Sequence, residues 1–206
     1  MSYIVFEGPD FAGKSTLTKK VAERLGYRLV VEPFIESENG KAVKNAIINN
    51  TFNKETEIFL LAANRLEAFR EVITPHRDAG VIADRSVVST MVYQVGEGVY
   101  NRPLNILNFM AGVLQDEMHD IYPDRLFFLD IDHDTYLERL AKSERVIDEK
   151  EKALMVPANW MKLKEDYITA IQFIAQENPE TQIHFITPDV TVEEIVAMID
   201  PTLVLE

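Results

Sequence analysis

The sequence predicts an α/β fold in one domain: a parallel sheet of about five strands with helices on both faces. Three observations carry this. Short apolar runs at roughly 2–7, 28–32, 80–84, 125–131 and 182–186 alternate with segments of helical periodicity. The run Phe127-Phe128-Leu129-Asp130-Ile131 is apolar but for one acid, as a strand covered on both faces requires. The chain has 206 residues, which suits one domain with a sizeable core. Alternation of strands and helices implies crossover connections, and these make a sheet parallel.

Taken in order, the first strand ends at Glu7 and a helix follows over Lys14 to Leu25. Ile58, Ala62, Leu66, Phe69 and Ile73 recur at helical spacing, as do Ile106, Met110, Val113 and Glu117-Met118. A later helix carries Trp160, Leu163, Tyr167, Ile171 and Ile174. Between them, Lys142 to Lys152 is dense in charge and almost free of large apolar groups. A charge run is usually a solvated helix end. The functional reading is a mobile lid near 142–157, with Pro157 interrupting any helix that ran straight through and marking a hinge.

Charge and composition narrow the function. A net charge of −13 with no Lys/Arg run argues against a nucleic-acid partner. It leaves a small phosphate ligand open, since a few local cations and backbone N–H groups can hold one. The absence of cysteine removes disulfides, thiolate metal sites and cysteine nucleophiles. His76, His119, His133 and His184 have no metal-ligand spacing. No apolar stretch reaches transmembrane length, so no membrane partner is expected. The opening Met1–Phe6 run is too short for a signal peptide and lacks its basic flank, so a cytoplasmic location is expected.

Gly8-Pro9-Asp10-Phe11-Ala12-Gly13-Lys14-Ser15 matches G-x-x-x-x-G-K-[ST], between a strand and a helix. Gly8 and Gly13 permit close backbone approach. Successive N–H groups, from Asp10 through Ser15 to Thr16, can then form an anion nest at a positive helix end. Lys14 is suited to the β- and γ-phosphates, and Ser15 offers a hydroxyl to a magnesium ion. The fold is thus expected to be a P-loop NTPase-type sheet binding ATP and Mg2+. The chain would be a single P-loop kinase domain, 1–206. The alternative is a chance Gly-rich strand–helix turn, which the full motif and its context weigh against. The motif does not identify the acceptor.

Beyond the P-loop, the chain resembles the thymidylate kinases in order and over nearly its whole length. The fragments that carry this are Val5-Phe6-Glu7-Gly8-Pro9-Asp10, Leu60-Leu61-Ala62-Ala63-Asn64-Arg65, Ile73-Thr74-Pro75 and Gly80-Val81-Ile82-Ala83-Asp84-Arg85. Ser89, Tyr93-Gln94, Pro123 to Asp132 and Leu137-Glu138-Arg139 continue the series. The resemblance implies phosphoryl transfer from ATP to a deoxynucleoside monophosphate, dTMP first. It implies that Arg65 contacts the base, Arg85 the acceptor phosphate and Asp10 the sugar. Glu32, Pro33, Leu61, Ser89, Tyr93 and Gln94 would line the acceptor site, and Asp84 would help position magnesium with Ser15. Thr187-Pro188-Asp189 would edge the donor base. A homodimer is also implied.

An acceptor phosphate is already nucleophilic at neutral pH, so the task is in-line positioning and charge neutralisation rather than general base catalysis. Some relatives carry a cation in the P-loop directly after the acid, where this chain has Phe11. The cation is then expected from the lid: Arg145 first, Arg139 second, with Lys142 and Lys150 as alternatives.

Other departures bear on the base. Leu61 stands where the family has a thymine-stacking aromatic, and Phe34 or Phe69 would have to substitute. That site also leaves room for a modified pyrimidine monophosphate. Asp84-Arg85-Ser86 and Glu32-Pro33 lean toward the deoxynucleoside kinases, which phosphorylate a neutral 5′-hydroxyl and would need Glu32 as base. That family's tryptophan after Glu-Pro and its Phe-Gln pair are missing here.

Overall fold

A computed structural model describes residues 2–49, 52–95, 109, 112, 121–144 and 146–204. Its strands are β1 (Tyr3–Glu7), β2 (Arg28–Val31), β3 (Val81–Asp84), β4 (Arg125–Leu129) and β5 (Gln182–Ile186). They form one sheet in the order β2-β3-β1-β4-β5 with every neighbouring pair parallel. All five residues of β1 are buried, which explains their near-continuous apolar run. Phe6 stacks on Phe127 at 5.0 Å between ring centres, and Phe127 stacks on His184 at 4.7 Å. Asp130 and Ile131 fall just past β4, so the fourth strand is shorter than the apolar run suggests.

This order places the site. The chain winds from β1 to β2 and β3 on one side, then crosses to β4 on the other. A crevice opens outside the carboxyl end of β1, where the direction reverses. Glu7, Asp84 and Leu129 end the three central strands there.

Helix α1 (Lys14–Leu25) starts at Gly13 (φ 91°) and stops at Gly26 (φ 67°), whose N–H bonds the Ala22 and Glu23 carbonyls. Helix α2 (Glu38–Asn49) packs on α3 (Lys54–Ala68), which Asn53 caps by accepting from the Thr56 N–H at 2.8 Å. From α3, the buried Asn64 amide ties down the loop before α2. Its oxygen accepts from the Phe34 N–H at 2.6 Å, and its nitrogen donates to the Phe34 and Gly40 carbonyls at 2.9 and 3.2 Å. The helical pattern ending at Ile73 is confirmed, though its last turn, Phe69–Ile73, is π-helical.

Helix α4 (Val87–Thr90) runs into a second π-helical turn, Met91–Val95. The helix expected over 106–118 lies outside the described residues, except that Phe109 and Gly112 are helical. After β4 come α5 (His133–Ala141), α6 (Glu149–Ala153), α7 (Pro157–Glu177) and α8 (Val192–Ile199). The charged stretch is therefore not one helix. Asp148 starts α6 through a capping box with Glu151, and Pro157 sits in the first turn of α7, where its missing N–H costs nothing. Trp160, Leu163, Tyr167, Ile171 and Ile174 are all buried. Among the described residues no helix is long and apolar enough to cross a membrane.

Candidate active site

The P-loop is built where β1 hands over to α1. Gly8 has φ 146°, and a Cβ there would meet the Leu129 carbonyl oxygen at 2.8 Å, so this position excludes a side chain twice over. Phe11 adopts φ 63°, an uncommon conformation for a bulky residue, and its carbonyl accepts from Arg139 Nη1 at 2.9 Å. Lys14 is not the ligand-exposed residue a phosphate contact would suggest. It is buried, and its Nζ donates to the Gly8 and Pro9 carbonyls, each at 2.7 Å. Burial, reinforced by the Arg85 guanidinium, pushes its ammonium down to about 8. The Gly8 carbonyl accepts a second bond, from the Tyr167 hydroxyl of α7 at 2.9 Å.

At the end of β3, Ser15 Oγ donates to Asp84 Oδ2 at 2.5 Å. Asp84 Oδ1 is buried and has no hydrogen-bond partner among the described residues. A hydroxyl and a carboxylate with a spare oxygen are hard ligands of the kind magnesium takes. Among the described residues there is no group of three or more His, Cys, Asp or Glu able to hold a metal. Of the histidines, His76 bonds the Val72 carbonyl and His133 the Leu154 carbonyl, while His119 lies outside the described residues.

Arg85 follows with φ 77°, again left-handed for a non-glycine residue. Its Nη2 pairs with Asp10, its Nη1 donates to Ser89 Oγ at 3.1 Å, and its guanidinium lies 5.8 Å from the Tyr93 ring centre. Beneath it lies Glu7, fully buried, where burial raises the carboxyl pKa and hydrogen bonds from Ser89 and Ser86 oppose the rise.

Arg65 is neither a surface residue nor free. It is 3% exposed and clasps Glu32, with Nε 3.0 and 3.1 Å from the two carboxylate oxygens and Nη2 2.5 Å from Oε2. Nη2 also donates to Thr90 Oγ1 at 3.2 Å. Nη1 is buried without a hydrogen-bond partner among the described residues. These residues line a cleft of about 470 Å³ with Asp10, Pro33, Leu61, Arg85, Ser89, Tyr93 and Gln94. The residues expected at the acceptor site thus meet in one place. Phe34 and Phe69 do not reach it: both are buried in the core, Phe69 edge-on to Tyr3, and among the described residues no phenylalanine lines the cleft beside Leu61.

A second cavity of about 570 Å³ lies against the other side of the P-loop. It is lined by Phe11, Ala12, Gly13, Thr16 and Arg139, with Thr187 and Pro188 from the turn after β5. The first cleft reaches Asp10 and the second starts at Phe11, so the two share the P-loop as a wall.

From the 142–157 segment, Asp148, Lys150, Glu151 and Leu154 also line the first cleft. Helix α6 is tied to the body by the Tyr136 hydroxyl, which donates to the Glu151 carbonyl at 2.7 Å. Arg145 lies outside the described residues. Lys142 points away to pair with exposed Glu138. Glu7, Thr90 and Tyr167 are site residues the motifs do not single out. Glu7 and Thr90 stand next to residues that do stand out, while Tyr167 reads only as one apolar-face position of its helix.

The sequence profile of the thymidylate kinase family matches residues 6–199. A "Probable thymidylate kinase" of Methanococcus maripaludis is 30% identical over 203 residues, covering 98% of this chain and 92% of its own. A thymidylate kinase of Staphylococcus epidermidis is 32% identical over 190 residues, covering 86% of this chain and 85% of its own. Among solved structures, a thymidylate kinase from Ehrlichia chaffeensis superposes with a TM-score of 0.63 over 98% of this chain and 97% of its own. At 22% identity that last likeness speaks for the fold.

Proposed function

The chain belongs to the thymidylate kinase family, and on that premise we propose that it transfers the γ-phosphoryl group of ATP to dTMP, giving dTDP and ADP. The observation that carries the reading is the pair of cavities sharing one P-loop wall, with Arg85 and Arg65 in the first and the Gly13–Thr16 turn in the second. ATP takes the second cavity, its base near Thr187 and Pro188 and its phosphates on the N–H groups up to Thr16. Lys14 leaves the Gly8 and Pro9 carbonyls for the β- and γ-phosphates. Magnesium fits Ser15 and the spare oxygen of Asp84, and when bound it would neutralise phosphate charge.

dTMP takes the first cleft. Arg85 exchanges its Asp10 partner for the acceptor phosphate, and Asp10 is released toward the sugar. Arg65, clasped by Glu32 in the cleft wall, is assigned to the base edge, for which its buried Nη1 must turn outward. Leu61 and Pro33 provide an apolar wall for the ring. The acceptor oxygen attacks the γ-phosphorus as the bond to the ADP oxygen breaks, and no residue needs to take a proton. Arg139 braces the P-loop at Phe11, which leaves the charge on the transferred group to the lid: Arg145, or Lys150 at the cleft wall. The lid reading of 142–157, the cytoplasmic location and the homodimer belong to the same proposal.

The rival, a deoxynucleoside kinase, needs a free carboxylate as base. Both Glu32 oxygens are taken by Arg65, which weighs against it. An ADP-release assay across deoxynucleosides and their monophosphates tests the choice. Turnover with dTMP and none with thymidine is expected, and preference for thymidine would overturn the proposal. A 5-substituted deoxyuridylate in the panel tests the room left at Leu61.

A further inference from the structure

We infer that Glu7 is a positioning residue that aims Arg85 at the acceptor phosphate, acting through the hydroxyl of Ser89. This rests on the reading that Arg85 holds that phosphate.

Glu7 ends β1, one residue before the P-loop, and is fully buried. Its carboxylate accepts four hydrogen bonds, all from the segment directly after Arg85. Oε1 takes the Ser86 N–H at 2.7 Å, the Ser86 hydroxyl at 2.8 Å and the Ser89 N–H at 3.2 Å. Oε2 takes the Ser89 hydroxyl at 2.7 Å. With its proton given to Glu7, Ser89 Oγ keeps its lone pairs for Arg85, and it accepts from Nη1 at 3.1 Å. The other arm of Arg85 pairs with Asp10. Glu7, Ser89, Arg85 and Asp10 thus form a chain of contacts that leaves the protein backbone at the end of β1 and returns to it three residues later.

The arrangement fixes Arg85 in two ways. Its left-handed backbone is pinned on one side by its own N–H to the Phe6 carbonyl at 3.0 Å, and on the other by the Ser86 N–H to Glu7. Its side chain is pinned by Ser89. An arriving phosphate competes with Asp10 for Nη2, while the Nη1–Ser89 bond can persist, so the guanidinium would stay anchored by one arm through the exchange. An uncharged group at position 7 weakens that anchor. The amide of a glutamine would donate where Ser89 needs an acceptor, turning the hydroxyl away from its present role. A buried carboxylate is costly unless its hydrogen bonds are complete, and every bond Glu7 makes serves the segment that carries Arg85.

The test is steady-state kinetics of Glu7→Gln, Ser89→Ala and Arg85→Ala, and of the first two each combined with Arg85→Ala. Glu7→Gln and Ser89→Ala should each raise KM for dTMP roughly three- to tenfold, the loss of about one hydrogen bond, with KM for ATP within about twofold of the parent. In the Arg85→Ala background neither should add anything. An equal further loss in that background, or an equal rise in KM for ATP, would reduce Glu7 to a structural acid and overturn the inference while leaving Arg85 as the phosphate ligand. If Arg85→Ala leaves KM for dTMP unchanged, the reading of Arg85 falls and the inference falls with it. Should Glu7→Gln fail to fold, the Ser89→Ala pair decides alone.

Discussion

Arg65 and Glu32, 33 residues apart in the chain, form a buried two-pronged ion pair in the wall of the cleft that Arg85 and Ser89 also line, with Nη2 and Oε2 2.5 Å apart. Both carboxylate oxygens accept from the guanidinium, whose Nη1 is buried with no hydrogen-bond partner among the described residues. A charge left alone in such a place is far more costly than the pair is valuable. Glu32→Ala should therefore destabilise the fold by about 3–5 kcal/mol, read by urea denaturation. Glu32→Gln, which keeps the shape, should raise KM for dTMP and leave kcat within about threefold. A collapse of kcat by roughly a hundredfold would instead make Glu32 a base and reinstate the nucleoside kinase.

The Lys14 ammonium gives a pH signature. Burial and the neighbouring Arg85 hold it down to about 8, and Asp10, Asp84 and Glu7 pull the other way. Its charged form prevails below that value and is lost above it. A triphosphate favours the charged form. The kcat/KM for ATP should therefore be level below pH of about 8 and fall by up to about tenfold per unit above it. Lys14→Met should abolish most turnover and remove this limb from the ATP binding curve. A flat profile up to pH of about 9.5 would place the phosphates away from Lys14.

Much of this was legible in the sequence because it is local. Continuous apolar runs find the strands, the 3.6-residue period finds the helices, and the P-loop advertises itself by spacing. Helical spacing gave Arg65 a position beside apolar neighbours, but not its partner, because Glu32 reaches it only once β2 has paired with β3. The same holds for Glu7, which reads as a polar stop to β1 until α4 is folded over it. Phe34 and Phe69 show the limit from the other side. Aromatic character made both of them stacking candidates, yet the fold spends them on its core. The break before α7 falls at Pro157, as its missing N–H requires: no helix runs through that residue, and α7 starts there.

The lid reading has a handle at Tyr136, whose hydroxyl holds the Glu151 carbonyl at 2.7 Å. Tyr136→Phe removes one neutral hydrogen bond, about 0.5–1.5 kcal/mol. If α6 opens as a unit, amide exchange over Glu149–Ala153 should quicken by roughly two- to twelvefold in the free protein. A bisubstrate analogue should slow exchange there in both proteins. Strong, unchanged protection with and without the analogue would leave 142–157 as a fixed wall of the cleft.

Tyr167 ties α7 to the P-loop through the Gly8 carbonyl. In the present arrangement the Gly8 carbonyl accepts from both Lys14 and Tyr167, at 2.7 and 2.9 Å. When ATP draws Lys14 to its phosphates, Tyr167 is left as the donor that keeps this buried carbonyl satisfied. Tyr167→Phe therefore costs little while Lys14 remains on the loop, and more once it leaves. The free protein should lose no more than about 0.5–1.5 kcal/mol, and KM for ATP should rise by roughly five- to tenfold beyond any change in KM for dTMP. The hydroxyl lies 3.5 Å from that of Tyr93, under Arg85, so the split between the two Michaelis constants matters more than either value. A rise confined to dTMP would mean that Tyr167 serves the acceptor through Tyr93, and that Lys14 does not leave the Gly8 carbonyl when the nucleotide binds.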